Sequence, residues 1–256
     1  MPGLVVSVSL AARRWGPKIA GLLTGLPIVS APALFFFAVE QGDVFASEAA
    51  RAVLVSLVGV EASGVAYAWT ALRVPWWTSL LASWTVFFAS VLLVQRAGWT
   101  ANVALVVSCL GLVAAQAALP RGGRTATGTR PGWDLPLRVV AAMLLVVSVT
   151  SLAHRLGPTL SGALTPFPVA ISVLLAFSHA QQGSAAAISF LRGFLPGMWA
   201  FTAFCYALSI GIVPLGTALG FAAALGCTVA IQAAVLWRIS TGSAARDRMP
   251  SSTRAS

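Results

Sequence analysis

The stretch Arg14-Trp15-Gly16-Pro17-Lys18-Ile19-Ala20-Gly21-Leu22-Leu23-Thr24-Gly25-Leu26-Pro27 returns later in the chain as Arg155-Leu156-Gly157-Pro158-Thr159-Leu160-Ser161-Gly162-Ala163-Leu164-Thr165-Pro166-Phe167-Pro168. The step from 14 to 155 is 141 residues, and the same step aligns both flanks without a gap. Upstream, Leu4-Val5-Val6-Ser7-Val8 matches Leu145-Val146-Val147-Ser148-Val149; downstream, Phe36 matches Phe177, Gln41-Gly42 matches Gln182-Gly183, Ala46 matches Ala187, Arg51 matches Arg192 and Leu54 matches Leu195. A register held over that length marks an internal duplication, which has to be recognised before any fold is assigned.

Composition fixes the class of fold. Of 256 residues, 58% are hydrophobic and only 9% charged, and the mean hydropathy is +0.89. Ordinary soluble domains carry about 25% charged residues, so this chain lacks the polar side chains to clothe a water-soluble globule. It reads as an all-α integral membrane protein whose first partner is the lipid bilayer. Several apolar runs approach the roughly 20 residues that cross a hydrocarbon core of about 30 Å. The net charge of +10 does not signal nucleic acid, because the arginines are scattered through loops and the tail with no aromatic-basic module beside them.

Taken in order, the chain divides into repeat 1 (1–97), a connecting span (98–119), a basic linker (120–136), repeat 2 (137–239) and a polar tail expected to be disordered (240–256). Repeat 1 opens with an apolar run, Pro2 to Ala12, too short to span a bilayer; it is either a half-span or the end of a longer helix that starts upstream. Gly16 to Val39 follows, broken by Gly25, Pro27 and Pro32, and then the acidic loop of Glu40, Asp43 and Glu48. Ala46 to Leu72, carrying Glu61, and Trp76 to Gln95 complete the repeat. Thr100 to Leu119 has no counterpart. The linker Pro120 to Pro136 is rich in Arg, Gly and Thr and has no hydrophobic periodicity. Repeat 2 supplies Leu137 to Ala153, Pro158 to Ser178, Ser184 to Leu208 and Gly216 to Trp237.

Four spans, one odd span and four more give nine, so the second repeat enters the membrane in the opposite sense: an inverted repeat. With the N-terminus outside, Arg13, Arg14, Lys18, Arg73, Arg121, Arg124, Arg130 and the C-terminal tail with Arg238, Arg246, Arg248 and Arg254 fall on the cytoplasmic side, while the acidic cluster, Arg96 and Arg155 fall outside. That bias is what the positive-inside rule demands. Trp69, Trp76, Trp77, Trp99, Trp133 and Trp237 lie near span ends, where interfacial aromatic belts form.

The repeated motif sits at membrane depth, where an unsatisfied backbone group costs several kcal/mol. Pro17 suits a helix N-terminus, because its missing N–H would be unpaired there anyway. Gly21 and Gly162 allow close helix approach, and Pro27 and Pro168 release the carbonyls four residues back. Paired half-helix ends near the midplane are a recurrent way to build solute and ion sites in transporters. Gly16, Pro17, Gly21, Thr24, Pro27, Gly157, Pro158, Gly162, Thr165, Pro166 and Pro168 are therefore the candidate substrate-binding residues, with Thr24 and Thr165 expected to line one cavity. Packing of a Pro-kinked span without any ligand explains the same motif.

Charge inside the membrane is the second signal, since a buried charge costs about 2.5 kcal/mol or more. Glu61 lies among Val58-Gly59-Val60 and Ala62-Ser63-Gly64, and Arg51 and Arg192 lie inside their spans. Counting about 1.5 Å of rise per residue puts Glu61 and Arg192 level in an inverted arrangement, so the two are expected to pair. Snorkelling to the interface accounts for the arginines equally. His179, Gln41 and Gln182 read as span-end or loop residues. Cys109, Cys205 and Cys227 stand singly in apolar runs and read as core residues, so neither a metal nor another cofactor is expected.

The core Ile19-Ala20-Gly21-Leu22-Leu23-Thr24-Gly25-Leu26-Pro27 leading to Phe37 resembles the small GlpM-like bacterial inner-membrane proteins, in which an Ala-Gly-Leu-x-x-x-x-Pro run enters an apolar span. The resemblance covers one short span of each repeat. It implies a multi-pass protein of the inner (plasma) membrane, and it transfers no catalytic residue.

No paired carboxylates, metal-binding histidine spacing or nucleotide-binding Gly-rich loop is present, so the chain reads as a non-enzyme and not as an ATP-driven pump. The expected function is that of a secondary transporter or channel for a small solute or ion. The alternatives are a non-catalytic accessory membrane subunit that packs against a partner, either a further copy of the chain (a homo-oligomer) or another membrane protein, and a lipid-handling membrane enzyme.

Overall fold

A computed structural model describes residues 2–95, 98–123, 134–156 and 168–247. Among these, all regular structure is helical: α1 (Pro2–Trp15), α2 (Pro17–Thr24), α3 (Ser30–Gln41), α4 (Asp43–Thr70), α5 (Trp76–Gln95), α6 (Ala101–Ala118), α7 (Asp134–Leu156), α8 (Val169–Gln182) and α9 (Ser184–Asp247). Four of them, α4, α5, α6 and α9, are long and apolar enough to cross a membrane. α9 is too long for one crossing, and Gly216, at φ 77° and ψ 167°, breaks it into a first limb, 184–215, and a second limb, 217–247. The second limb runs through Asp247, so the first residues of the expected polar tail are helical; 248–256 lie outside the described residues.

The molecule is apolar on its outer faces. Leu93, Leu110, Leu144, Leu219 and Val229 are each more than 60% exposed, which in water would be a large penalty and in lipid is none. The interior carries Ser56, Ser63, Ser79, Ser83, Ser108, Ser172 and Thr202, all buried. α4 is the central helix: 61% of its most apolar stretch is buried, against 22% in α5 and in α6. It packs on α3, α5, α6 and α9, while α9 also packs on α2 and α8.

Helix boundaries follow the duplication. α3 and α8 both end at a Gln, and the junction glycines Gly42 (φ 90°, ψ 167°) and Gly183 (φ 83°, ψ 175°) share one conformation, which only glycine adopts without strain. The helices that follow start at Asp43 and Ser184, again 141 apart. The next break also recurs, by different chemistry. In the first half a turn over 71–75 precedes Trp76; in the second the helix bends at Gly216 and resumes at Thr217, the counterpart of Trp76.

The two copies of the long helix run antiparallel. Ser47, early in α4, donates to the carbonyl of Ser209, late in the first limb of α9, at 2.6 Å, whereas Gly64, late in α4, lies against Leu191, early in α9. Contacts between the halves are reciprocal: α5 touches α8 through Trp84 and Ser172 (3.0 Å), and the second limb of α9 touches α3 through Phe221 and Phe35, ring centroids 5.4 Å apart.

The bundle has two chemically distinct ends. At one lie Glu40, Asp43 and Glu48, with Asp43 accepting from Thr217 (2.6 Å) and Arg51 donating to the carbonyl of Trp99 (3.3 Å). At the other lie Arg14, Lys18, Arg73, Arg121, Arg138 and Arg192. Contacts fix this end as common to several helices: Trp69 donates to the Ala118 carbonyl (2.8 Å), Arg138 to Gln181 (3.2 Å) and Arg192 to the Pro120 carbonyl (2.7 Å). Arg138, which interrupts an apolar run in the sequence, is buried and stacks over Phe177 at 5.1 Å.

Candidate functional site

The repeated motif forms a broken helix. α2 begins after Gly16, whose φ of 87° no other residue accepts readily, with Pro17 as its first residue. α2 ends eight residues later at Thr24, with Gly25 still in αR geometry as its C-cap, and the chain turns over 25–29 before it re-enters helix at Ser30. Pro27 blocks continuation because it has no N–H; the carbonyl it leaves at Leu23 is taken instead by the N–H of Leu26 at 3.3 Å, and the Pro27 carbonyl accepts from Ala31 at 2.9 Å to start α3. Pro32 sits in the first turn of α3, where no N–H is needed.

Glycines clamp this broken segment onto α9. A Cβ added at Gly21 would collide with the backbone of Phe190 and Phe194, at Gly25 with Gly197 and Met198, at Gly193 with the Lys18 carbonyl, and at Gly197 with the Leu22 carbonyl. Gly21-x-x-x-Gly25 thus crosses Gly193-x-x-x-Gly197, the small-residue packing that lets membrane helices approach backbone to backbone. Gly21 makes the close approach expected of it, against the backbones of Phe190 and Phe194, while Gly193 and Gly197 on the α9 side carry no signal within the duplicated motif itself. Thr24 is buried, and its hydroxyl donates to the Ala20 carbonyl at 2.8 Å, so its hydrogen bond is spent inside α2. Gly157, Pro158, Gly162, Thr165 and Pro166 lie outside the described residues; Pro168 caps the start of α8.

Glu61 occupies the centre. Its side chain is buried, and Oε1 accepts from the hydroxyl of Ser108 of α6 at 3.4 Å; the same hydroxyl lies 3.4 Å from Oγ1 of Thr202 of α9. Oε2 has no hydrogen-bond partner among the described residues and lies against Gly111, where any Cβ would strike it. Glu61 and Thr202 are 141 residues apart and so hold equivalent positions of the two copies. Adding that step to 61 finds Thr202 in the sequence. Ser108 and Gly111 belong to the unmatched span and have no such signal.

The expected Glu61–Arg192 pair does not form. Arg192 is exposed and donates to Pro120. Gly64, one turn beyond Glu61, lies against Leu191, so Glu61 and Arg192 are close in depth. Depth does not fix azimuth, however: Arg192 stands about 100° further round its helix than Leu191, facing the end of α6, whereas Glu61 faces the middle of α6. Arg51 is half-buried with the Trp99 carbonyl as its partner. His179 meets the Tyr67 hydroxyl through Nδ1 at 3.3 Å, tying α8 to α4 near the basic end.

A cleft of about 490 Å³ opens at that end, lined by Lys18, Gln116, Ala117, Leu119, Arg121, Ser189, Arg192 and Pro196. It touches the candidate motif through Lys18, and Pro196 of its wall adjoins Gly197 of the glycine contact. Compared with known proteins, the chain matches no family model, no curated protein and no solved structure.

Proposed function

We propose that this chain is a secondary transporter or channel for a small solute or ion, built from two inverted four-helix repeats joined by α6, with nine crossings of the inner membrane, its N-terminus outside and its C-terminus in the cytoplasm. The observation that carries the reading is the buried Glu61–Ser108–Thr202 cluster. It sets equivalent positions of the two copies around one hydroxyl of the odd helix, at the place where α4, α6 and α9 meet. An unpaired buried carboxylate is expensive in a membrane and marks a solute or ion path more readily than a packing contact. Glu61 is the group that would take up a proton or cation during transport.

Three further features support the architecture. α4 and its copy in α9 run antiparallel, as inverted copies must; contacts between the halves are reciprocal; and basic residues gather at the end opposite Glu40, Asp43 and Glu48, which is the cytoplasmic end under the positive-inside rule. The broken helix α2–α3 is the discontinuous element that inverted-repeat transporters place beside their sites. We also propose kinship with the GlpM-like proteins, carried by the Ala20-Gly21-Leu22 to Pro27 run that forms this break. Purified chain in liposomes, screened for uptake of labelled ions, amines and organic acids, tests the function. Uptake that Glu61→Gln abolishes without loss of folded protein supports it, and an absence of flux for every class tested overturns it.

A further inference from the structure

We propose that the cleft at the basic end is a binding site for a phosphate group. Its charged walls are all cationic: Lys18 from the first turn of α2, Arg121 from the segment after α6, and Arg192 from the first limb of α9. No acidic residue is among the described residues that line it. Three cations gathered from three separate parts of the chain repel one another, and an anion between them removes that penalty. Lys18 and Arg121 have no hydrogen-bond or ion-pair partner among the described residues, and of Arg192 only Nη2 is engaged, with Pro120.

Two neutral polar groups of the cleft add donors. Gln116 contributes a buried Nε2 with no acceptor among the described residues, and Ser189 a hydroxyl. The wall therefore offers N–H and O–H donors in excess, which suits an oxyanion with several acceptor oxygens, and paired arginines favour the planar, two-pronged recognition of phosphate. α2 also begins here, and its N-terminus adds positive potential. Gly16 gives that end no side-chain cap to compete for it. A volume of about 490 Å³ lies within the usual range of small-ligand sites. It holds a phosphate together with a short organic body, while Ala117, Leu119 and Pro196 form the apolar part of the wall. A free phosphorylated solute and the headgroup of an anionic phospholipid share this chemistry.

Binding here goes beyond the transport reading and does not depend on it, so the two are measured separately. The full chain is reconstituted in nanodiscs of phosphatidylcholine alone and titrated with inorganic phosphate. In parallel, nanodiscs containing phosphatidylglycerol are examined by native mass spectrometry for retained lipid. Lys18→Gln and Arg121→Gln are compared with Arg73→Gln, a basic residue at the same end but outside the cleft, and thermal unfolding verifies that each variant is folded. Saturable phosphate binding weakened about ten-fold or more by the first two variants, with Arg73→Gln unchanged, supports the site with a free phosphate as ligand. Retention of phosphatidylglycerol lost in the same two variants, without phosphate binding, supports the site with a lipid headgroup as ligand. Failure of both probes to bind, or binding that is equal in all three variants, overturns the proposal whatever the outcome of the flux measurement.

Discussion

At residue scale the tightest constraint on chemistry is the fit of Glu61 against Gly111. The carboxylate oxygen without a partner fills the space a side chain would need, so Gly111→Ala should destabilise the protein by about 1–3 kcal/mol, the usual cost of overpacking. Glu61→Ala should remove most of that penalty, whereas Glu61→Gln, equal in shape, should not. Thermal unfolding of the two double mutants against their parents measures the coupling, and equal penalties in both backgrounds would refute the contact. The sequence made Glu61 conspicuous because its apolar surroundings leave a charge nowhere to go. It did not reveal the partner, because a pairing inferred from depth along two helices leaves the azimuth of each helix free. Arg192 was at the right level and on the wrong face.

At the scale of elements, the broken helix was legible and its seat was not. Pro27 announces a break because it has no N–H to continue a helix, and Gly42 and Gly183 announce helix junctions because their positive φ is closed to other residues. The α2–α9 contact needs Gly21 and Gly25 on one side and Gly193 and Gly197 on the other, and the latter pair stands where the first repeat has Ala52 and Ser56, so the duplication does not point to it. Gly21→Ala and Gly193→Ala are each expected to cost about 2 kcal/mol or more, since the added carbon meets backbone that cannot turn away. Gly226→Ala, with nothing near it and helical geometry, should instead stabilise by about 0.5–1 kcal/mol through the gain in helix propensity. Detergent melts of the three variants check the contrast, and an unharmed Gly193→Ala would remove the glycine clamp from the account.

For the whole molecule, composition pointed to membrane helices, and four helices are long and apolar enough to cross a membrane; one step of 141 residues anticipated which helix boundaries would recur. What remained hidden was how the halves touch, since a duplication specifies copies and not the axis between them. The central claim is that the two copies are inverted, and its most direct test is the sidedness of equivalent positions. Arg73 and Pro214 are 141 residues apart and both exposed, one in the turn that follows α4 and the other just before the bend of α9. In a background with Cys109, Cys205 and Cys227 replaced by alanine, single Arg73→Cys and Pro214→Cys variants are treated in intact cells with a thiol reagent that does not cross membranes. The account predicts that Pro214→Cys is labelled at once and Arg73→Cys only after the cells are opened; labelling of both from the same side would contradict it.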